Sequence, residues 1–197
     1  MRLAIFGGTF DPIHNAHLEI ARAARSHFRL DRVLFVPAAR PPHKGGVTVA
    51  GFDDRVRMAE LAVADEPRFA VSRLEEGTRR SYSIDTIEKL RVTLGASDEL
   101  FFLIGADAFA EIQSWHRWQD VARQVVFLVI SRPGHSYAIP NGAAVQRLDT
   151  PQLDISSSAI RQRFERGEPS TEVPAPVLDY VAQHGLYRSV RNPILFP

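Results

Sequence analysis

Short, nearly continuous apolar runs alternate with amphipathic stretches along this chain, and that alternation limits the fold more than any other feature. Apolar runs at Leu3–Phe6, Val33–Val36, Phe69–Ser72, Leu100–Ile104 and Val125–Ile130 read as strands. Helical periodicity appears in between, at Ala16–Phe28, Phe52–Ala64, Ser83–Leu94 and, with an internal break, Ala106–Val121. Strands with no polar face must be covered on both sides, and intervening helices supply that cover for a parallel sheet. Right-handed crossovers then favour a doubly wound α/β fold.

After Ser131 the pattern changes. Arg132-Pro133-Gly134 and Pro140-Asn141-Gly142 mark loops, and Val145–Leu148 reads as one last short strand. Ser156–Arg166 and Pro176–His184 read as two further helices, the second introduced by Pro174 and Pro176. The expectation is a single domain over 1–187, with an α/β core at 1–150, a small helical appendage at 151–187 and a tail at 188–197. Ala38 to Gly51 is rich in Pro and Gly and long for a connection of this kind, which suits a functional loop.

Composition closes off several classes of function. With 24 basic and 23 acidic residues, the 197-residue chain has no charge excess for bulk binding to nucleic acid or membrane. It contains no cysteine, so disulfides, thiol catalysis and cysteine-held metals are excluded, and a reducing, cytoplasmic setting is compatible. The apolar run Val125–Ile130 is far too short to span a bilayer. Gly7-Gly8 interrupts the apolar start before a signal-peptide core can form.

The richest segment is Gly7-Gly8-Thr9-Phe10-Asp11-Pro12-Ile13-His14-Asn15-Ala16-His17, between the first strand and the first helix. Open parallel sheets bind ligands at such turns. Glycines let main-chain N–H groups approach an anion, and a helix N-terminus adds a favourable dipole. His14 and His17, three residues apart, are both placed to donate to a phosphate. Metal binding and a purely structural pair remain open on this pattern alone. Neither a Walker motif nor the G-x-G-x-x-G fingerprint is present.

A second segment, Ile155-Ser156-Ser157-Ser158 followed by Arg161, opens a helix with hydroxyl caps, main-chain donors and a permanent cation. An ordinary N-cap beside a solvated arginine is the other reading. Lys44, one of only two lysines, follows Pro41-Pro42-His43 in the long loop and can meet a polyphosphate as a point charge. Gly105 and Asp107 form another strand–turn–helix junction. In a 3-2-1-4-5 sheet this junction and Gly8 would face one crevice.

These segments resemble the nucleotidyltransferase superfamily with its T/H-x-G-H signature. The opening stretch is closest to the bacterial nicotinate-nucleotide adenylyltransferases, with Ala16 where their pattern has glycine. Ile155–Arg161 is similar to their ISSTxIR element, and Pro41–Lys44 to their P-x-H-K element. The resemblance runs from residue 1 to about 187 and implies a Rossmann-like nucleotidyltransferase fold. It implies ATP contacts at Gly7, Gly8, Thr9, Phe10, Gly105, Asp107, Ile155, Ser156, Ser157 and Ser158. Catalytic roles would fall to His14, His17, Lys44 and Arg161. Acceptor contacts would fall to Tyr82 and Ser83 at a helix start, to Trp115 as a stacking face, and to Arg132.

The expected reaction is adenylyl transfer from ATP, carried with Mg2+, to nicotinate mononucleotide, releasing pyrophosphate. No metal ligands are legible, no nucleic-acid or membrane partner is expected, and a homo-oligomer is allowed. Nicotinamide mononucleotide and phosphopantetheine are rival acceptors. A nucleotide-sensing module that binds without catalysis is a reading of another class.

Overall fold

The protein is described from a computed structural model covering residues 1–40, 48–78, 80–131, 134, 136–150 and 155–188. Six strands form one parallel sheet: β1 (Arg2–Gly8), β2 (Arg32–Pro37), β3 (Phe69–Val71), β4 (Glu99–Gly105), β5 (Val126–Ser131) and β6 (Val145–Asp149). Their spatial order is β3-β2-β1-β4-β5-β6. The helices are α1 (Asn15–His27), α2 (Phe52–Val63), α3 (Ser83–Arg91), α4 (Ala106–Ala110), α5 (Trp118–Gln124), α6 (Ser157–Glu165) and α7 (Ala175–Gln183). This is the doubly wound α/β arrangement expected from the alternating apolar pattern.

Strand residues alternate between two apolar cores, as the two-residue period of a strand requires. Ala4, Val33, Phe35, Phe101, Leu103 and Leu128 pack on one face with residues from α1, α2, α6 and α7. Leu3, Ile5, Leu100, Phe102, Phe127 and Val129 pack on the other with α3, α4 and α5. Ile160, Val177, Val181 and Tyr187 therefore share a core with the first strand. Because α1 and α4 leave β1 and β4 toward opposite faces, a crevice opens between these adjacent strands at their C-terminal ends.

Two helices differ from their predicted extents. The pattern carries α3 to Leu94, but it stops at Arg91, and the Thr93 hydroxyl donates to the Leu90 carbonyl at 2.7 Å. Such a local bond gives the backbone an alternative to another helical turn. The break expected inside the helical stretch at 106–121 separates α4, a 3₁₀ turn at Ile112–Ser114, and α5, which runs past the expected end at Val121 to Gln124. Arg117 closes that break in the left-handed region (φ 53°), with its guanidinium paired to Glu88 and Asp120.

Gly8 is needed for a reason other than the anion approach inferred from sequence. A Cβ there would lie 2.8 Å from the Phe10 ring. Phe10 itself is 2% exposed, has φ 50°, and packs against Phe6 and Phe35. Gly8→Ala is therefore expected to lower stability by about 1–3 kcal/mol through overpacking, read from the denaturation midpoint.

Candidate active site

The turn after β1 is tied to distant parts of the chain through its main chain. Arg161 Nη1 donates to the Asp11 carbonyl at 2.7 Å, and Ser157 Oγ donates to the Pro12 carbonyl at 3.0 Å. The two motifs, about 150 residues apart, thus meet at the crevice. Ser156 caps α6 by accepting from Ala159 N at 3.2 Å, while Arg161 Nη2 donates to Ser158 Oγ at 3.2 Å. Ile155 is half-buried against the core on the α1 face.

His14 is the N-cap of α1 and His17 lies three residues on. Their rings stack with centroids 3.7 Å apart. Two charged imidazoles at that separation would repel strongly. His17 Nδ1 accepts the His14 main-chain N–H at 3.2 Å, which places the ring hydrogen of His17 on Nε2. His14 is 5% exposed, and its Nδ1 is buried with no partner among the described residues. Burial pushes His14 down to about 4, so it is neutral at physiological pH.

Across the crevice, Gly105 is the N-cap of α4 and Asp107 lies in its first turn; both are exposed. A Cβ on Gly105 would meet nothing within 4 Å, so this edge is open. Gly7 is exposed and Thr9 partly so. The Phe10 side chain belongs to the core and touches the His17 ring edge-on at 5.0 Å, leaving only its main chain to face a nucleotide. Ala16, at the family's glycine position, is 4% exposed.

A separate cavity of about 340 Å³ lies between residues 80–83 and 114–116. It gathers Tyr82, Ser83 and Trp115, as the sequence suggested for the acceptor. Tyr82 is the N-cap of α3, so the first main-chain donors of that helix adjoin the cavity. Its hydroxyl accepts from Arg80 at 3.1 Å. Trp115 is half-buried and meets Phe102 edge-on at 5.6 Å, joining the cavity wall to the core. His116, not singled out from sequence, lies against the Tyr82 ring at 4.4 Å. Lys44 and Arg132 lie outside the described residues.

The sequence reading also passed over Arg55, which is completely buried on α2. It donates to the Thr9 and Ala38 carbonyls, each at 2.7 Å, and to the Ala50 carbonyl at 3.2 Å. One signal was available: Arg55 precedes the core residues Met58 and Ala59 by three and four positions, on the apolar face of the helix. The Asp11 carboxylate, 3% exposed, accepts from Val49 N, Ala50 N and Tyr187 Oη.

A pH effect follows from His14. Unfolded, its imidazole binds a proton below its ordinary value of 6.5; folded, it does so only near 4. Between these values the unfolded state holds more protons, so stability rises with pH across that window and is fully present above it. His14→Gln should flatten this part of the stability profile, measured by denaturation at a series of pH values. A ¹⁵N titration should find the wild-type His14 ring neutral at pH 6.

Residues 5–163 match the cytidylyltransferase-like family. A protein of Solibacter usitatus, described as a "Probable nicotinate-nucleotide adenylyltransferase", is 63% identical over 95% of this chain and its own whole length. A Thermus thermophilus protein of the same description is 44% identical over 95% of this chain and all of its own. Among solved structures, Plasmodium falciparum nicotinic acid mononucleotide adenylyltransferase complexed with NaAD has a TM-score of 0.78 at 18% identity. That match covers 94% of this chain and 97% of the other. With its two motifs joined at the crevice between β1 and β4, the chain belongs to the cytidylyltransferase-like family and, within it, to the nicotinate-nucleotide adenylyltransferases.

Proposed function

We infer that this protein transfers the adenylyl group of ATP to nicotinate mononucleotide, giving nicotinate adenine dinucleotide and pyrophosphate in NAD biosynthesis. The observation that carries the reading is the junction of residues 9–17 with 156–161. It sets two imidazoles, a serine-rich helix start and an arginine around one crevice, beside a cavity with aromatic walls. The Plasmodium falciparum protein of the same fold is complexed with NaAD, which supports the choice of substrates.

The acceptor's phosphate oxygen attacks the α-phosphorus of ATP in line. A new P–O bond forms, the bond between the α-phosphorus and the bridging oxygen breaks, and its electron pair leaves with pyrophosphate. Because the nucleophile is already an anion, no general base is needed. Catalysis is then positioning plus stabilisation of charge on the α-phosphate. His17 gives Nε2–H to that phosphate, and neutral His14 lines the same turn. Arg161 and the start of α6 take the β- and γ-phosphates with Lys44. The main chain of Gly7 to Phe10, with Gly105 and Asp107, borders the rest of the nucleotide.

Magnesium enters as part of the ATP substrate, held by phosphate oxygens and water. Among the described residues no three carboxylate, imidazole or thiol groups gather into a metal site. The nicotinate ring stacks on Trp115, and its carboxylate meets the donors at the start of α3, near Arg80. We place the reaction in the cytoplasm, where ATP is supplied. Among the described residues no helix is long and apolar enough to cross a membrane.

The test is pyrophosphate release from magnesium–ATP with nicotinate mononucleotide, nicotinamide mononucleotide or phosphopantetheine. Nicotinate mononucleotide should be strongly preferred; equal or better turnover with another acceptor overturns the assignment of the α3 cavity. His17→Ala should lower turnover at saturating substrates by about 10²–10³-fold. Trp115→Ala should act chiefly on KM for the mononucleotide, as expected for a stacking contact remote from the phosphorus.

A further inference from the structure

We propose that Arg55, Asp11 and Tyr187 form a buried positioning unit that holds the histidine-bearing turn in its reactive geometry. The proposal rests on the phosphate-binding role given above to His17. None of the three side chains can touch substrate directly, since Arg55, Asp11 and Tyr187 are 0%, 3% and 6% exposed. Their bonds converge on one place. Arg55 holds the Thr9 carbonyl, and through Ala38 and Ala50 it holds the chain on both sides of the long loop. Asp11 accepts Val49 N at 2.8 Å and Ala50 N at 3.1 Å from that loop, and Tyr187 Oη at 2.7 Å from beyond α7.

A buried guanidinium is unfavourable unless its donors are met, and here Nε and Nη1 are met by the three carbonyls while Nη2 is buried without a partner among the described residues. What only the arginine supplies is a rigid fork bridging three carbonyls from three segments. Between Thr9 and Asp11 lies Phe10, whose ring rests on the His17 imidazole. A shift of the turn therefore moves the ring that accepts the His14 N–H. Tyr187 closes the unit from the far end of the fold, 176 residues away in sequence.

The informative substitutions are Tyr187→Phe, which keeps the ring and removes one donor, and Arg55→Lys, which keeps the charge but carries its donors on one nitrogen in place of a rigid fork. Each is made in the full chain and assayed below its melting transition, verified by circular dichroism. We expect kcat to fall about 10- to 10²-fold, the scale of a small misplacement of reacting groups. KM for nicotinate mononucleotide should stay unchanged, because its cavity is built from other segments. The ¹⁵N shift of His17 Nδ1, recorded without substrate, should lose the signature of a hydrogen-bonded acceptor in both variants. Folded variants with kcat within twofold of wild type, equal changes in kcat and KM, or an unaltered His17 signal would overturn the proposal. If wild type itself makes no product from nicotinate mononucleotide, the functional reading fails, and the His17 signal alone decides the fate of the positioning unit.

Discussion

The carbonyl groups that follow β1 have left the sheet and must still be paired, and much of the molecule is arranged to pair them. A parallel strand ends by turning into its helix, so its last peptides leave the ladder while remaining largely buried. Here the Thr9, Asp11 and Pro12 carbonyls take donors from Arg55 on α2 and from Arg161 and Ser157 on α6. Those donors come from helices that share one apolar core with α1. Packing on one face of the sheet and geometry at the crevice are consequently the same problem, solved by the same helices.

Electrostatically, the crevice and the separate cavity at α3 differ. At the histidine turn, burial keeps His14 uncharged, so its ring contributes a dipole and no full charge. Near α3, the exposed Arg80 brings a full charge to the cavity wall without being desolvated.

Local signals explain what sequence made visible. Five of the six strands announce themselves by apolar runs, and their order follows from parallel connections with helices on both faces, whereas β6 carries Gln146, Arg147 and Asp149 and showed only as a short segment after the loops. The histidine and serine motifs are contiguous, so each could be read separately. Their bonding to one another could not, because Ser157 and Pro12 are 145 residues apart and meet only through tertiary packing. The break in the helical stretch was legible, but not its place at Arg117, whose guanidinium pairs with Glu88 and Asp120, one of them outside the local window. Arg55 carried a faint signal in its apolar-face position, whereas Tyr187 carried none: a tyrosine near a helix end looks the same whether or not a carboxylate awaits it. Gly8 shows the converse, a visible glycine whose steric reason, the Phe10 ring, lies in the fold.

The bond from Tyr187 to Asp11 also orders events in time. Synthesis runs from the amino terminus, so β1 and its turn leave the ribosome long before the tyrosine that completes them. Until then the Asp11 carboxylate lacks one of its three donors. The turn built first is finished last, and a nascent chain halted before α7 carries every residue of the histidine motif without the contact that closes it. The full set of donors to Asp11 is thus present only once the chain through Tyr187 has been made and folded.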